Sequence, residues 1–185
     1  MTATSGDWLR RAVPATMIAL TMGLGACSGS DSEPTDPKAS ATTAEPTADQ
    51  AAADQAAVEK LATAIWAVRQ QVYNSGEATK AIFQDIYSTA AIESELGKVR
   101  QYQGQKILRT GAPEITDVEA AVTGDTGEIL LCLNEDDWNA EEDGTPIDTP
   151  ARGANPWGAT VQRDGDRWVF VDEIPTADIG ARKSC

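Results

Sequence analysis

Histidine is missing from all 185 residues, and with it go the commonest general base and the commonest zinc ligand. No Cys/His metal spacing, glycine-rich phosphate loop or nucleophile elbow occurs anywhere in the chain. Basic residues are scarce. Fifteen lysines and arginines stand against 29 aspartates and glutamates, a formal charge of −14. So acidic a surface is a poor partner for nucleic acid or anionic headgroups, and it suits solubility, cations or a basic partner. Long apolar runs are lacking too, except for one near the N-terminus, Ala12 to Thr21.

That run is preceded by Trp8-Leu9-Arg10-Arg11 and followed by Leu24-Gly25-Ala26-Cys27. A positive start, a short apolar stretch and small residues before a cleavage point describe an export signal over residues 1–26. A retained membrane span would need about 20 apolar residues, and Pro14, Gly23 and Gly25 interrupt this one. Arg10-Arg11 followed by Ala12-Val13 is a partial match to twin-arginine export, so the route is open between that and the general one. Leu24-Gly25-Ala26-Cys27 resembles the lipobox of bacterial lipoproteins. The resemblance implies diacylglycerol on the Cys27 thiol, cleavage just before it, and a chain hung by membrane lipid from the extracytoplasmic face of the cell membrane.

Cleavage there leaves 159 residues, 13 basic and 28 acidic, with a formal charge of −15. That length suits one domain with its own core. With Cys27 lipidated, Cys132 and Cys185 are an even pair in an oxidising setting, and a disulfide is the expectation. It would close a loop of about 54 residues and contribute up to roughly 4 kcal/mol. Residues 27–47 carry no large apolar side chain and contain Pro34, Pro37 and Pro46. Such a stretch cannot bury enough surface to offset its ordering entropy, so a disordered tether is expected, with a reach of roughly 25 Å.

Residues 48–185 are expected to form an α+β domain. Thr47 and Gln50 have capping-box spacing. Val58, Leu61, Ile65, Val68 and Val72 then form one helical stripe, ended by Asn74-Ser75-Gly76. A second helix is predicted over Glu77–Tyr87 and a third over Ala90–Tyr102. Strands are predicted from Lys106 through Val122, over Glu128–Glu135, and as a hairpin of Gly158–Arg163 with Arg167–Glu173 around Asp164-Gly165-Asp166. Asp136–Asn155 is predicted to be a long polar loop. Helices first and strands after argue for segregated layers.

Three helices followed by a four-stranded antiparallel sheet resembles the nuclear transport factor 2-like fold, a cystatin-like α+β cone. Cys132-Leu133-Asn134 and Gly165-Asp166-Arg167-Trp168-Val169 further resemble small exported proteins of high-GC Gram-positive bacteria. The resemblance implies helices lying across a curved sheet, with a conical pocket at the open end. Some members of that fold are isomerases or dehydratases, others are binding modules. The missing histidine excludes an Asp–His pocket, whereas an Asp-plus-Tyr pocket stays open through Tyr73, Tyr87 or Tyr102.

Candidate ligand-binding residues are Trp138 and Trp157, which flank the acidic run. Asn139-x-Glu141-x-Asp143-Gly144 opens like a calcium loop, but Pro150 stands where the bidentate glutamate belongs, so no metal site is expected, and no cofactor. A tethered, non-enzymatic module that binds an envelope protein or small ligand is the leading expectation. A pocket enzyme or an envelope-blocking lipoprotein that excludes phages are the alternatives.

Overall fold

A computed structural model describes residues 47–185. The export signal, the lipobox Leu24, Gly25, Ala26 and Cys27, and the tether up to residue 46 lie outside the described residues. Helix α1 (Ala48–Ser75) is capped by Thr47, whose Oγ1 accepts from Gln50 N at 3.3 Å. The capping box does not close, because Gln50 turns its own amide to Asp54 Oδ1, 3.1 Å away. Val58, Leu61, Ile65 and Val72 are buried as the stripe requires, and Val68 sits half-buried at its flank. Asp54 and Arg69 lie in the same buried stripe. Gly76 ends the helix at φ 69°, and its N–H bonds Val72 O. A side chain there would be strained in conformation and would meet Leu108 at 2.7 Å.

The second helix is shorter than predicted. Only Lys80–Phe83 is α-helical (α2). The following backbone leaves the helix to pair with a strand: Ser88 N donates to Phe170 O and Phe170 N to Ile86 O, both at 2.8 Å. That pairing buries Tyr87, so tertiary contact overrides the local helical pattern. Helix α3 (Thr89–Gly104) follows, capped by Ser88.

The strands correct the prediction of a single four-stranded sheet, for there are two antiparallel sheets. β1 (Ile107–Gly111), β4 (Trp138–Glu142) and β5 (Thr145–Ile147) form the smaller one, in order β1-β4-β5. β2 (Glu114–Thr123), β3 (Thr126–Asn134), β6 (Ala154–Asp164) and β7 (Arg167–Glu173) form the larger, in order β2-β3-β6-β7. The stretch predicted as a polar loop thus contains a hairpin. Its turn is Asp143-Gly144, with φ of 51° and 77°, the left-handed pair that a type I′ turn demands.

Ile129, Leu131 and Leu133 of β3 face the helices, together with Ala159, Val161, Trp168 and Phe170. Leu130 and Cys132 point to the opposite face and are buried as well. The C-terminal tail covers them. It forms a short helix, α4 (Thr176–Ile179), with Ile179 buried against Gly158 and Leu130. The chain end is fastened by a Cys132–Cys185 disulfide, with Cα atoms 5.6 Å apart. Lys183 reinforces it, its ammonium 2.8 Å from Asp117 and 2.6 Å from Glu119 at a bulge in β2.

Candidate functional site

Two recesses adjoin where the helices meet the ends of the strands. The inner one lies between α1, α3, β4 and β7, and its chemistry begins with Arg69. The helical stripe that carries Ile65 and Val72 also carries position 69, so the fold buries a guanidinium, 4 % exposed. Position 95 stands in the same relation to Ile92 and Val99 on α3, and buries Glu95 at 2 %. The two meet: Arg69 Nη2 lies 3.1 Å from Glu95 Oε2 and 2.6 Å from Glu173 Oε1 on β7. Tyr73 donates to the other Glu95 oxygen at 3.0 Å. Lys98 reaches Glu173 at 3.3 Å. Trp66, Trp157 and Phe170 surround the guanidinium carbon at 5.1, 5.7 and 5.4 Å, a cation–π cage.

These neighbours set the protonation states. Burial alone would lower the Arg69 pKa, but the Glu95 and Glu173 carboxylates outweigh it and hold the guanidinium charged. Burial also opposes ionisation of Glu173, yet Arg69 and Lys98 prevail and keep it below the usual carboxylate value. Burial, then Glu95, pushes the Tyr73 hydroxyl far up, and burial does the same to Tyr87. Carboxyls and phenols therefore converge in the inner recess, but Glu173 stays ion-paired and the Tyr73 and Tyr87 phenols stay protonated at neutral pH. About 130 Å³ of space is left.

The outer recess is larger, about 470 Å³. It exists because β6 outruns β7: their pairing begins only at Ala159, so Ala154–Gly158 has no strand on that side. Pro156, which cannot donate to a ladder, is tolerated for that reason. Trp157 lines this cleft, with Leu133, Pro150, Asn155 and Arg152 around it. The strap that carries Arg152 is fixed by Asp136, whose carboxylate accepts from Arg152 N at 2.8 Å and Gly153 N at 3.0 Å. The Arg109–Glu135 pair, 3.1 Å apart, lines both recesses. Arg109 stacks on Trp138 at 3.8 Å and donates to its carbonyl.

Trp138 and Trp157 therefore part company. Trp157 lines the cleft. Trp138 borders the inner recess beneath Arg109, buried, with its Nε1 donating to Asn74 Oδ1 at 2.7 Å, and it packs edge-on against Trp66 and Tyr73. Three carboxylates of the acidic run are engaged: Glu135 with Arg109, Asp136 with the strap, and Asp143 with Lys106 at 2.9 Å. Asn139 and Glu141 lie in an extended strand, which cannot wrap an ion. Among the described residues no group of three or more His, Cys, Asp or Glu is placed to hold a metal. Tyr73 and Tyr102 border the inner recess, and Tyr87 packs behind it on Phe170. Arg69, Glu95, Glu173 and Arg152 are not singled out by the sequence reading; the first two were detectable as charges standing in apolar stripes.

No protein-family model matches the sequence, and no curated protein matches it. Among solved structures the chain is similar to the intermembrane space region of the chloroplast protein ARC6. The TM-score is 0.51 and the identity 8%, over 65% of this chain and 95% of that one. A candidate dehydratase from the NTF2-like family of Streptomyces avermitilis aligns at a TM-score of 0.36 and 18% identity, over 64% of this chain and 91% of that one. That second likeness is too loose to carry an argument. The first is a likeness of fold, so the chemistry of this α+β chain has to be read from its own residues.

Proposed function

We propose that the protein is a lipid-anchored, extracytoplasmic binding module of nuclear transport factor 2-like architecture, without enzymatic activity. The anchor rests on Leu24-Gly25-Ala26-Cys27 at the end of an export signal. Among the described residues no helix is long and apolar enough to cross a membrane, and the acidic charge gives the domain no affinity for anionic headgroups. The architecture is supported by three leading helices laid against an antiparallel sheet. The observation that carries the binding reading is the state of the inner recess. A general base needs a free group with its pKa near the working pH. Here Glu173 is held down by Arg69 and Lys98, and Glu95 is bonded by Arg69 and Tyr73. The ligand surface is the outer cleft, where Trp157 lines a recess of a size typical for small ligands.

Fractionation of cells expressing Cys27→Ala tests the anchor. The wild-type protein is expected in the membrane fraction with the added mass of acyl chains on Cys27. The variant is expected to lose that mass and, once its signal is cut, to leave the membrane. A cleaved Cys27→Ala chain that stays tightly bound would refute the anchor.

A further inference from the structure

The outer cleft differs from the rest of the domain in one respect. Among the described residues, Lys60, Arg100 and Arg152 are the cations without an ion pair, and of these Arg152 lines a recess. Its guanidinium has no hydrogen-bond partner among the described residues either; the bond its residue makes is from the backbone N–H to Asp136. The strap is thus fixed by its main chain while the side chain is left to project. In a domain this acidic, a guanidinium at a cleft with two carboxylates and bonded to neither of them is poised for a carboxylate from elsewhere. Apart from Arg109, Glu135 and Asp136, the remaining lining is apolar or neutral: Leu133, Pro150, Pro156 and the partly exposed Trp157, with Asn155 and Thr149 as polar contacts. Asp136 and Glu135 are already engaged, by the strap amides and by Arg109.

We infer that the cleft binds small organic carboxylates, with the acid group on Arg152 and an apolar or aromatic body against Trp157 and the two prolines. A guanidinium offers a carboxylate two parallel N–H donors. The apolar lining supplies the contact area that the acid group cannot. The surrounding negative charge selects for a single carboxylate, since a second one would meet Glu135 and Asp136 across the same cavity. This inference rests on the reading of the domain as a binding module and adds the chemistry of what it binds.

Titration of the purified mature protein in neutral detergent micelles tests it, with N-acetylphenylalanine and its neutral amide, N-acetylphenylalaninamide, as probes. The acid is expected to bind at least about tenfold more tightly than the amide. Arg152→Gln should abolish that preference and leave the weak binding of the amide unchanged. Trp157→Leu should weaken both probes, and Arg100→Gln, which removes an unpaired cation elsewhere, should alter neither. Equal affinity for acid and amide, or a preference that survives Arg152→Gln or falls equally with Arg100→Gln, overturns the inference while leaving the anchored module intact. Binding of neither probe overturns it too. Fractionation of Cys27→Ala is decided independently of every one of these results.

Discussion

The inner recess, the place of the proposed cone, and the outer cleft are built from the same residue types and arrive at opposite states. In the cone, Arg69 is caged by three rings and bonded by two carboxylates. In the cleft, Arg152 stands on a strap fixed through its backbone, and its guanidinium pairs with neither of the carboxylates nearby, Glu135 and Asp136. Burial explains the difference. A charge inside the cone costs several kcal/mol unless it is paired and hydrogen-bonded, so the sequence must supply its partners. A charge at the cleft keeps its solvation and can stay unpaired until a ligand arrives. Buried charge here is paired charge, and the proposed role in recognition falls to a cation that burial did not force to pair.

The comparison is broken most forcefully through Arg69. Arg69→Met leaves Glu95 buried without its strongest partner, and the expected loss is about 3–5 kcal/mol in urea unfolding. Adding Glu95→Gln should recover much of it, since the uncompensated charge is then gone. Arg152→Gln should change stability by no more than about 0.5 kcal/mol. Equal losses from Arg69→Met and Arg152→Gln would erase the distinction between the two regions.

The disulfide gives the next effect in size. Reduction should cost about 2–4 kcal/mol and release residues after Ile174, measured as faster amide exchange in the tail. The large sheet stays assembled, because β2, β3, β6 and β7 pair without the tail. Exchange that speeds up in the cone as well would show that the tail supports more than the outer face of the sheet.

Acid gives the smallest effect. Glu173 has its pKa depressed in the folded state, so its stabilisation is fully present above the ordinary carboxylate value of 4.5. It is lost as pH falls through the lower folded value. Asp54 follows the same sign from 3.8, lowered by the Arg163 bond first of all. Stability should therefore be flat from neutral pH to about 5 and fall below it. Glu173→Gln should make the fall shallower, and an unchanged profile would contradict the pairing with Arg69.

Much of this was visible in the residues themselves. The α1 stripe, its glycine stop, the Asp164-Gly165 hairpin and the Cys132–Cys185 pair all follow from spacing or parity. Arg69 and Glu95 were visible in a subtler way, as opposite charges in two stripes that each had to face a core. Asp143-Gly144 was the strongest of the missed signals, a two-residue turn hidden inside an acidic run that resembles a calcium loop. Other features depend on distant partners and left no local trace. The helix predicted over Glu77–Tyr87 yields to pairing with Phe170, and β1 joins β4 because of the register at Ile107 and Glu142. Arg152 reaches the cleft on a strap held by Asp136, 16 residues earlier in the chain.

The most direct test uses the tryptophan indole N–H signals, of which residues 47–185 have four, at positions 66, 138, 157 and 168. A two-dimensional nitrogen–proton spectrum recorded during titration with N-acetylphenylalanine separates cone from cleft in one experiment. The Trp157 signal should move in a saturable way, together with the backbone amides of Thr149, Arg152 and Asn155. Trp138, bonded to Asn74, and Trp168, 3.3 Å from Asp54, should stay in place, and so should Trp66 inside the cone. Shifts concentrated on Trp66 and Trp138, with Trp157 and Arg152 unmoved, would place the ligand in the cone and contradict the division between a packed interior and a binding cleft.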